Sequence, residues 1–258
     1  MGDYALVTGA SKGIGKEISR QLAQRGYHLL LVARSADELQ ELAQELQDKY
    51  QVEAFYLSVD LALPDAAARV AEWAQDNAKH LSVLVNNAGY GIWGNFETLD
   101  LHSQMNMLRL NINAVLELTH QLIPILKTQK QSYILNVAST AAYQAMPSMA
   151  LYAASKSFIL SYSRAIRYEL KDTTIAVSCL SPGPTDTGFG SRAGLDAFAE
   201  LAEKFNMPAA LVARIGLKGM FLKKPEIIAG FLNKVSAIGA NLLPKSLIER
   251  ISANLYRL

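Results

Sequence analysis

YALVTGASKGIG, residues 4–15, decides how the rest of the chain is read. It opens on an apolar run of strand length and continues with glycines at positions 9, 13 and 15. Ile14, Ile18 and Leu22 then recur four apart, the mark of one helical face. A strand that passes into a helix through such glycines lets the backbone approach a pyrophosphate and aims the helix N-terminus at its charge. The spacing is G-x-x-x-G-x-G rather than the commoner G-x-G-x-x-G, and glycine turns also precede helices that bind nothing. The two readings have to be separated further along the chain.

Apolar runs of strand length recur at 28–33, 54–59, 81–85, 132–137 and 174–180, with a shorter one around Ile227. Between them lie helical patterns such as 35–49, where Leu39, Leu42 and Leu46 are three and four apart. Ser35 and Glu38 read as a capping box at the start of that helix. Strands alternating with helices predict an α/β fold: a doubly wound, Rossmann-type parallel sheet of about seven strands with helices on both faces. No linker, charge run or repeat divides the 258 residues, so one domain, 1–258, is expected. Ligands of such a sheet bind at the carboxyl ends of its strands.

Composition narrows the class. Half the residues are hydrophobic and 19% are charged, which suits a soluble globular protein. Apolar runs such as 29–33 are far too short to cross a bilayer, and the N-terminus has no signal-peptide pattern. Position 6 is Leu6, not the Ser or Thr that a myristoylated Gly2 would want. The single cysteine, Cys179, lies in an apolar run and reads as a buried thiol in a reducing cytoplasm. His28, His80, His102 and His120 have no metal-ligand spacing, so no metal is expected. The net charge of +2 is uneven: 204–258 carries nine Lys/Arg against Glu226 and Glu249. No nucleic-acid partner is expected.

The second strand ends in Ala33 and Arg34, where an enzyme for NAD would place an acid on the ribose. Asp37 stands close by but falls in the helix cap. Arg34, with its forked donors, and Lys12 in the glycine loop instead suit a 2′-phosphate, which favours NADP(H).

Further on come Asp60-Leu61, Asn86-Asn87-Ala88-Gly89, Asn111, Ser139, Tyr152 with Lys156, and Pro182-Gly183. With Thr8-Gly9, Gly13 and Gly15 in that order, the chain resembles the short-chain dehydrogenase/reductase family over nearly its whole length. The resemblance implies that Tyr152 gives its proton to a substrate carbonyl as nicotinamide delivers hydride. Lys156, one helical turn on, would lower the tyrosine pKa and hold the nicotinamide ribose. Ser139 would hydrogen-bond the reacting oxygen, with Thr140 as a substitute, and Asn111 would anchor a water that reprotonates the site. Cofactor contacts are implied for Gly9, Ser11, Lys12, Gly13, Ile14, Gly15, Arg34, Asp60, Asn87, Ala88 and Gly89. Tyr152, Lys156, Pro182, Gly183, Thr185 and Thr187 complete that set, although the family often has an aliphatic residue where Thr185 stands.

Phe189, Phe198 and Phe205 fall in 188–207, where the family has a substrate lid. Tyr90, Ile92, Trp93, Tyr143 and Met146 follow strand ends on the same rim and suggest an apolar pocket. The section 230–258 departs from the family's usual ending and resembles the subgroup of steroid- and 3-oxoacyl-type reductases. There Leu247, Ile251, Leu255 and Leu258 predict one apolar helical face beside Lys245, Arg250 and Arg257. Such a face suits packing on the domain or on a second subunit of a homodimer or homotetramer, or weak contact with a membrane surface. The expected activity is NADPH-dependent reduction of an apolar small-molecule ketone, or oxidation of its alcohol. The alternatives are an NADP-binding regulatory protein without turnover and, ranked lower, a nucleotide-sugar epimerase.

Overall fold

In the computed structural model, which describes residues 2–194 and 206–255, seven parallel strands form one sheet in the order β3-β2-β1-β4-β5-β6-β9. They are β1 (Tyr4–Thr8), β2 (His28–Ala33), β3 (Ala54–Ser58), β4 (Leu81–Asn86), β5 (Ser132–Val137), β6 (Ile175–Ser181) and β9 (Glu226–Ile228). The five inner strands lie on largely apolar runs, because a strand covered on both faces packs residues on both, whereas the edge strand β3 leaves Phe55 and Tyr56 exposed. A short second sheet pairs β7 (Thr185–Asp186) with β8 (Met207–Pro208). The order reverses between β1 and β4, so their carboxyl ends border the crevice where such folds take ligands.

Helices α1 (Gly13–Ala23), α2 (Ala36–Tyr50) and α8 (Ala209–Phe221) cover one face. Ala5 and Val7 point to that side and pack with Ile18, Leu22, Leu39, Leu42, Leu46 and Val212. Leu6 points the other way, onto Val70 of α3 (Ala66–Asn77) and Leu118 and Leu122 of α5 (Ala114–Lys127). This two-sided burial follows from the period of two along a strand. Helix α6 (Ala150–Glu169) adds Ile166 to the second core.

Three further helices matter for the site: α4 (Leu101–Leu108), α7 (Phe189–Ala193) and α9 (Phe231–Leu242); a last one, α10 (Lys245–Leu255), ends the described chain. The apolar face predicted on α10 is not the face that packs. Ile248 and Ser252 are buried, whereas Leu247 and Ile251 are exposed; Leu258 and Arg257 lie outside the described residues. Periodicity placed a stripe on the helix but could not choose which neighbour it meets.

Candidate active site

The glycine turn is built by close approach. Gly9 and Gly13 have φ of 65° and 54°, a left-handed backbone that side chains rarely adopt. A Cβ on Gly15 would lie 2.2 Å from the Gly9 carbonyl oxygen and 2.5 Å from Asn87 Nδ2. Asn87 Nδ2 donates to the carbonyls of Thr8 (3.0 Å) and Gly9 (3.2 Å). The Thr8 hydroxyl accepts from the N–H groups of Asn87 and Ala88, both at 3.0 Å. The ends of β1 and β4 are thus tied, with Ser11 and Lys12 in the loop between β1 and α1 and Ile14 in the first turn of α1.

Asn111 sits in a π-helical turn, Arg109–Asn113, between α4 and α5. An extra residue in a turn rotates the side chains that follow, and such turns recur at functional sites. Asn111 is buried; its Nδ2 donates to Tyr90 O (2.9 Å) and Ser155 Oγ (3.1 Å), and its Oδ1 accepts from Tyr90 N–H (3.1 Å). Only the second lone pair of Oδ1 is left for a further donor.

Lys156 is 5% exposed on α6 and donates to Val137 O at 3.0 Å. Its other two N–H groups meet no protein acceptor among the described residues, and burial pushes its pKa down to about 8. A Cβ placed on Gly89 would lie 3.2 Å from Lys156 Nζ and 3.0 Å from Asn111 Oδ1, so the three residues converge. Lys156 Nζ is 5.9 Å from the centre of the Tyr152 ring. Ser139, at the end of β5, accepts from Ala141 N–H at 3.1 Å, which caps a 3-10 turn and leaves its own O–H to donate elsewhere. Thr140 N–H donates to Pro182 O at 2.8 Å, joining the ends of β5 and β6.

At the opposite end of the crevice, Lys12 pairs with Glu38 at 2.7 Å and Arg34 lies 3.8 Å from Asp60. The capping box does not form: Ser35 occupies the N-cap without a side-chain capping bond, and Glu38 turns to Lys12 instead. A charge-assisted pair outweighs a neutral cap, and the Lys12 ammonium holds the Glu38 carboxyl below its ordinary pKa. Asp60 Oδ1 accepts from Ala62 N–H at 3.0 Å, leaving Oδ2 toward Arg34.

After β6, the Thr185 hydroxyl donates to Gly183 O at 2.9 Å, so this side chain is spent on its own turn. Thr187 presses on the glycine loop, within 2.7 Å of where a Gly13 Cβ would stand. Nothing in the sequence pointed to Asn233 of α9, whose side chain occupies the space a Cβ on Gly183 would need. Ser155 and Gly91 also escaped notice. A Cβ on Gly91 would meet Phe189, Met149 and Tyr152 at 2.9–3.3 Å, so only glycine leaves room there.

Around Tyr152 lie Met146, Met149, Ile92, Trp93 and Phe189, the last with its ring centre 5.4 Å away. Trp93 N–H donates to Ala193 O (2.9 Å) and Gly94 N–H to Ser148 O (2.8 Å), which ties these loops into one rim. Tyr143 does not belong to it. It is buried beside Ala237 and Ala240, with its hydroxyl bonded to Glu226 (2.7 Å) and Ser181 (3.1 Å), because it turns under the sheet edge toward β9. Phe198 and Phe205, and with them most of the expected lid, lie outside the described residues. The described residues contain no group of three or more His, Cys, Asp or Glu able to hold a metal.

The chain is similar to known oxidoreductases. A very-long-chain 3-oxoacyl-CoA reductase of Laccaria bicolor is 34% identical over 182 residues, 70% of this chain and about half (54%) of that protein's length. A 17-beta-hydroxysteroid dehydrogenase type 3 of Mus musculus is 28% identical over 238 residues, 91% of this chain and 77% of that one. Among solved structures, a short-chain dehydrogenase from Sphingobium yanoikuyae in complex with NADPH superposes with a TM-score of 0.83 at 28% identity, covering 92% of this chain and 91% of that one. Residues 3–196 match the model of the short chain dehydrogenase family, so the chain belongs to that family of oxidoreductases.

Proposed function

We propose that the chain interconverts a ketone and its alcohol on a largely apolar small molecule, with NADP(H) as the redox partner. The observation that carries this reading is the buried Lys156 ammonium, which converges with Asn111 on Gly89 one helical turn from Tyr152. The fit to a dinucleotide rests on the two Lys156 N–H groups that meet no protein acceptor among the described residues and on the place of the glycine turn, after β1 at the point where the strand order reverses.

When bound, the nicotinamide supplies or accepts a hydride at the carbonyl carbon. Tyr152 gives its hydroxyl proton to the carbonyl oxygen in reduction and takes it back in oxidation. A tyrosine of pKa about 10 is a poor proton source near neutrality. The Lys156 charge, with Nζ 5.9 Å from the centre of the Tyr152 ring, favours the phenolate. Ser139 has a free O–H to offer the same oxygen. Asn111 fixes the Tyr90 backbone and keeps one lone pair for a water that returns the proton. Lys12 and Arg34 meet the 2′-phosphate, and Asp60, Asn87, Ala88 and Gly89 line the adenosine half. Pro182, Gly183, Thr185 and Thr187 wrap the nicotinamide half.

The apolar rim of Ile92, Trp93, Met146, Met149 and Phe189 supports a lipid-like carbonyl substrate, the class named by the fungal and mouse relatives. A cytoplasmic setting suits Cys179, a buried thiol whose pKa burial raises to about 12, and assembly as a homodimer or homotetramer goes with the reading. The test is a panel of steroid ketones, medium- and long-chain ketones and 3-oxoacyl thioesters, assayed with NADPH and with NADH. Faster oxidation of NADPH with at least one of them is expected; inertness toward the whole panel with both cofactors would defeat the proposal.

A further inference from the structure

Helix α9 has two different sides. Its inner side carries Ala237 and Ala240, buried against Ala142 and Tyr143, and Asn233, seated on Gly183. Its outer side is apolar and bare: Phe231 is 80% exposed, Leu232 70% and Leu242 79%, with Val235 and Ile238 about half exposed. Phe231, Val235, Ile238 and Leu242 fall at spacings of three and four and form one stripe. The chain then passes through exposed Leu243 and Pro244 into α10, which shows Leu247 and Ile251 to solvent. An exposed apolar stripe of this length is a contact surface rather than scatter.

Charge chooses the partner. Residues 206–255 carry seven Lys/Arg against two Glu, and Lys234 on α9, with Lys245 and Arg250 on α10, lie among the apolar residues with Glu249 as the only acid on either helix. A two-fold pairing of this face with a second copy would bring like charges together. Anionic lipid headgroups would meet them with opposite charge while the stripe enters the acyl boundary. Among the described residues no helix is long and apolar enough to cross a membrane, so contact through this face is contact along the surface.

We infer that the outer faces of α9 and α10 dock the protein reversibly on an anionic lipid surface. Because the inner side of α9 holds the loop that follows β6, docking would set the crevice beside the bilayer.

The test is co-sedimentation of the full chain with vesicles of phosphatidylserine and phosphatidylcholine, and of phosphatidylcholine alone, at low and high salt. Binding to the anionic vesicles at low salt is expected, with release at high salt, where the Debye length falls to about 3 Å at 1 M. Lys234→Glu with Lys245→Glu should lower binding at least about tenfold, and Phe231→Ser with Leu232→Ser should do the same. Both variants should retain the wild-type molar mass by light scattering and the wild-type melting temperature. Should the apolar variant not fold, the charge variant carries the test. No binding at low salt, or binding unchanged in both variants, would overturn the inference. So would a fall in molar mass on Phe231→Ser, which would make this face a contact between copies. No turnover enters the readout, so its outcome is independent of the redox reading above.

Discussion

Lys156 is an ammonium only 5% exposed, with a pKa lowered from 10.5 to about 8 by burial. The unfolded lysine keeps its proton up to about pH 10.5, so between about 8 and 10.5 the unfolded state binds more protons and stability rises with pH. Below about pH 8 both states are charged and the fold bears the whole burial cost, roughly 3 kcal/mol. Lys156→Met should therefore stabilise the cofactor-free protein at pH 7, by about 1–2 kcal/mol after loss of the bond to Val137 O, while turnover is lost. Urea unfolding at pH 7 and pH 10 checks this: the gain should shrink at the higher pH, and a less stable variant at pH 7 would show that the charge is compensated. Tyr152→Phe keeps the ring against Phe189 and removes the proton. Turnover should drop by about 100- to 10,000-fold with NADPH affinity nearly intact, and wild-type rates on a confirmed substrate would remove Tyr152 from the mechanism. The types and spacing of Tyr152 and Lys156 could be read in the sequence. The burial that sets the lysine's pKa could not, since it depends on the ends of β4 and β5 closing over α6.

The glycine turn and the start of α2 form one unit, because Lys12 from the first is paired with Glu38 from the second. Arg34→Ala should weaken NADPH binding about 10- to 150-fold and leave NADH little changed, the cost of one charge-assisted contact. Glu38→Gln should act in the opposite sense: it frees Lys12 and removes a negative charge, so NADPH should bind several-fold tighter, the effect of about 1 kcal/mol. Isothermal titration with both cofactors separates these, and equal changes for NADPH and NADH would refute the assignment. Gly15→Ala puts a methyl group against the Gly9 carbonyl and Asn87, where only backbone movement can relieve the clash. A loss of about 1–3 kcal/mol in stability is expected by thermal unfolding, together with weaker binding of either cofactor. At this scale the strands and the glycine pattern were legible because each is a local signal. The capping box was misread because Ser35 and Glu38 give the same pattern whether the glutamate caps its own helix or pairs with a lysine 26 residues away.

Across the whole molecule, the last strand is held by side chains from distant parts of the chain. Tyr143 donates to Glu226 of β9 (2.7 Å), and Arg164 of α6 reaches the other oxygen of the same carboxylate (2.7 Å). Burial and the Glu226 charge raise the Tyr143 pKa, so the hydroxyl stays protonated and bonded at all ordinary pH. Tyr143→Phe should cost about 1–3 kcal/mol in urea unfolding with the turnover of a confirmed substrate little changed; a large loss of turnover would return Tyr143 to the rim. A second long-range tie runs from Asn86 to Asn136 (2.8 Å) and on to Ser163 (2.9 Å), linking β4, β5 and α6 beneath the crevice. By itself the sequence determined the doubly wound sheet, the positions of its strands and the residue types at their carboxyl ends, because hydrophobic period and glycine spacing act over a few residues. Tertiary structure alone decided that Tyr143 leaves the rim, that Asn233 closes on Gly183, and that the last two helices bury Ile248 and Ser252 while exposing Leu247 and Ile251. Those outcomes depend on which surfaces, far apart in the chain, are brought together, and a local pattern holds no information about its partner.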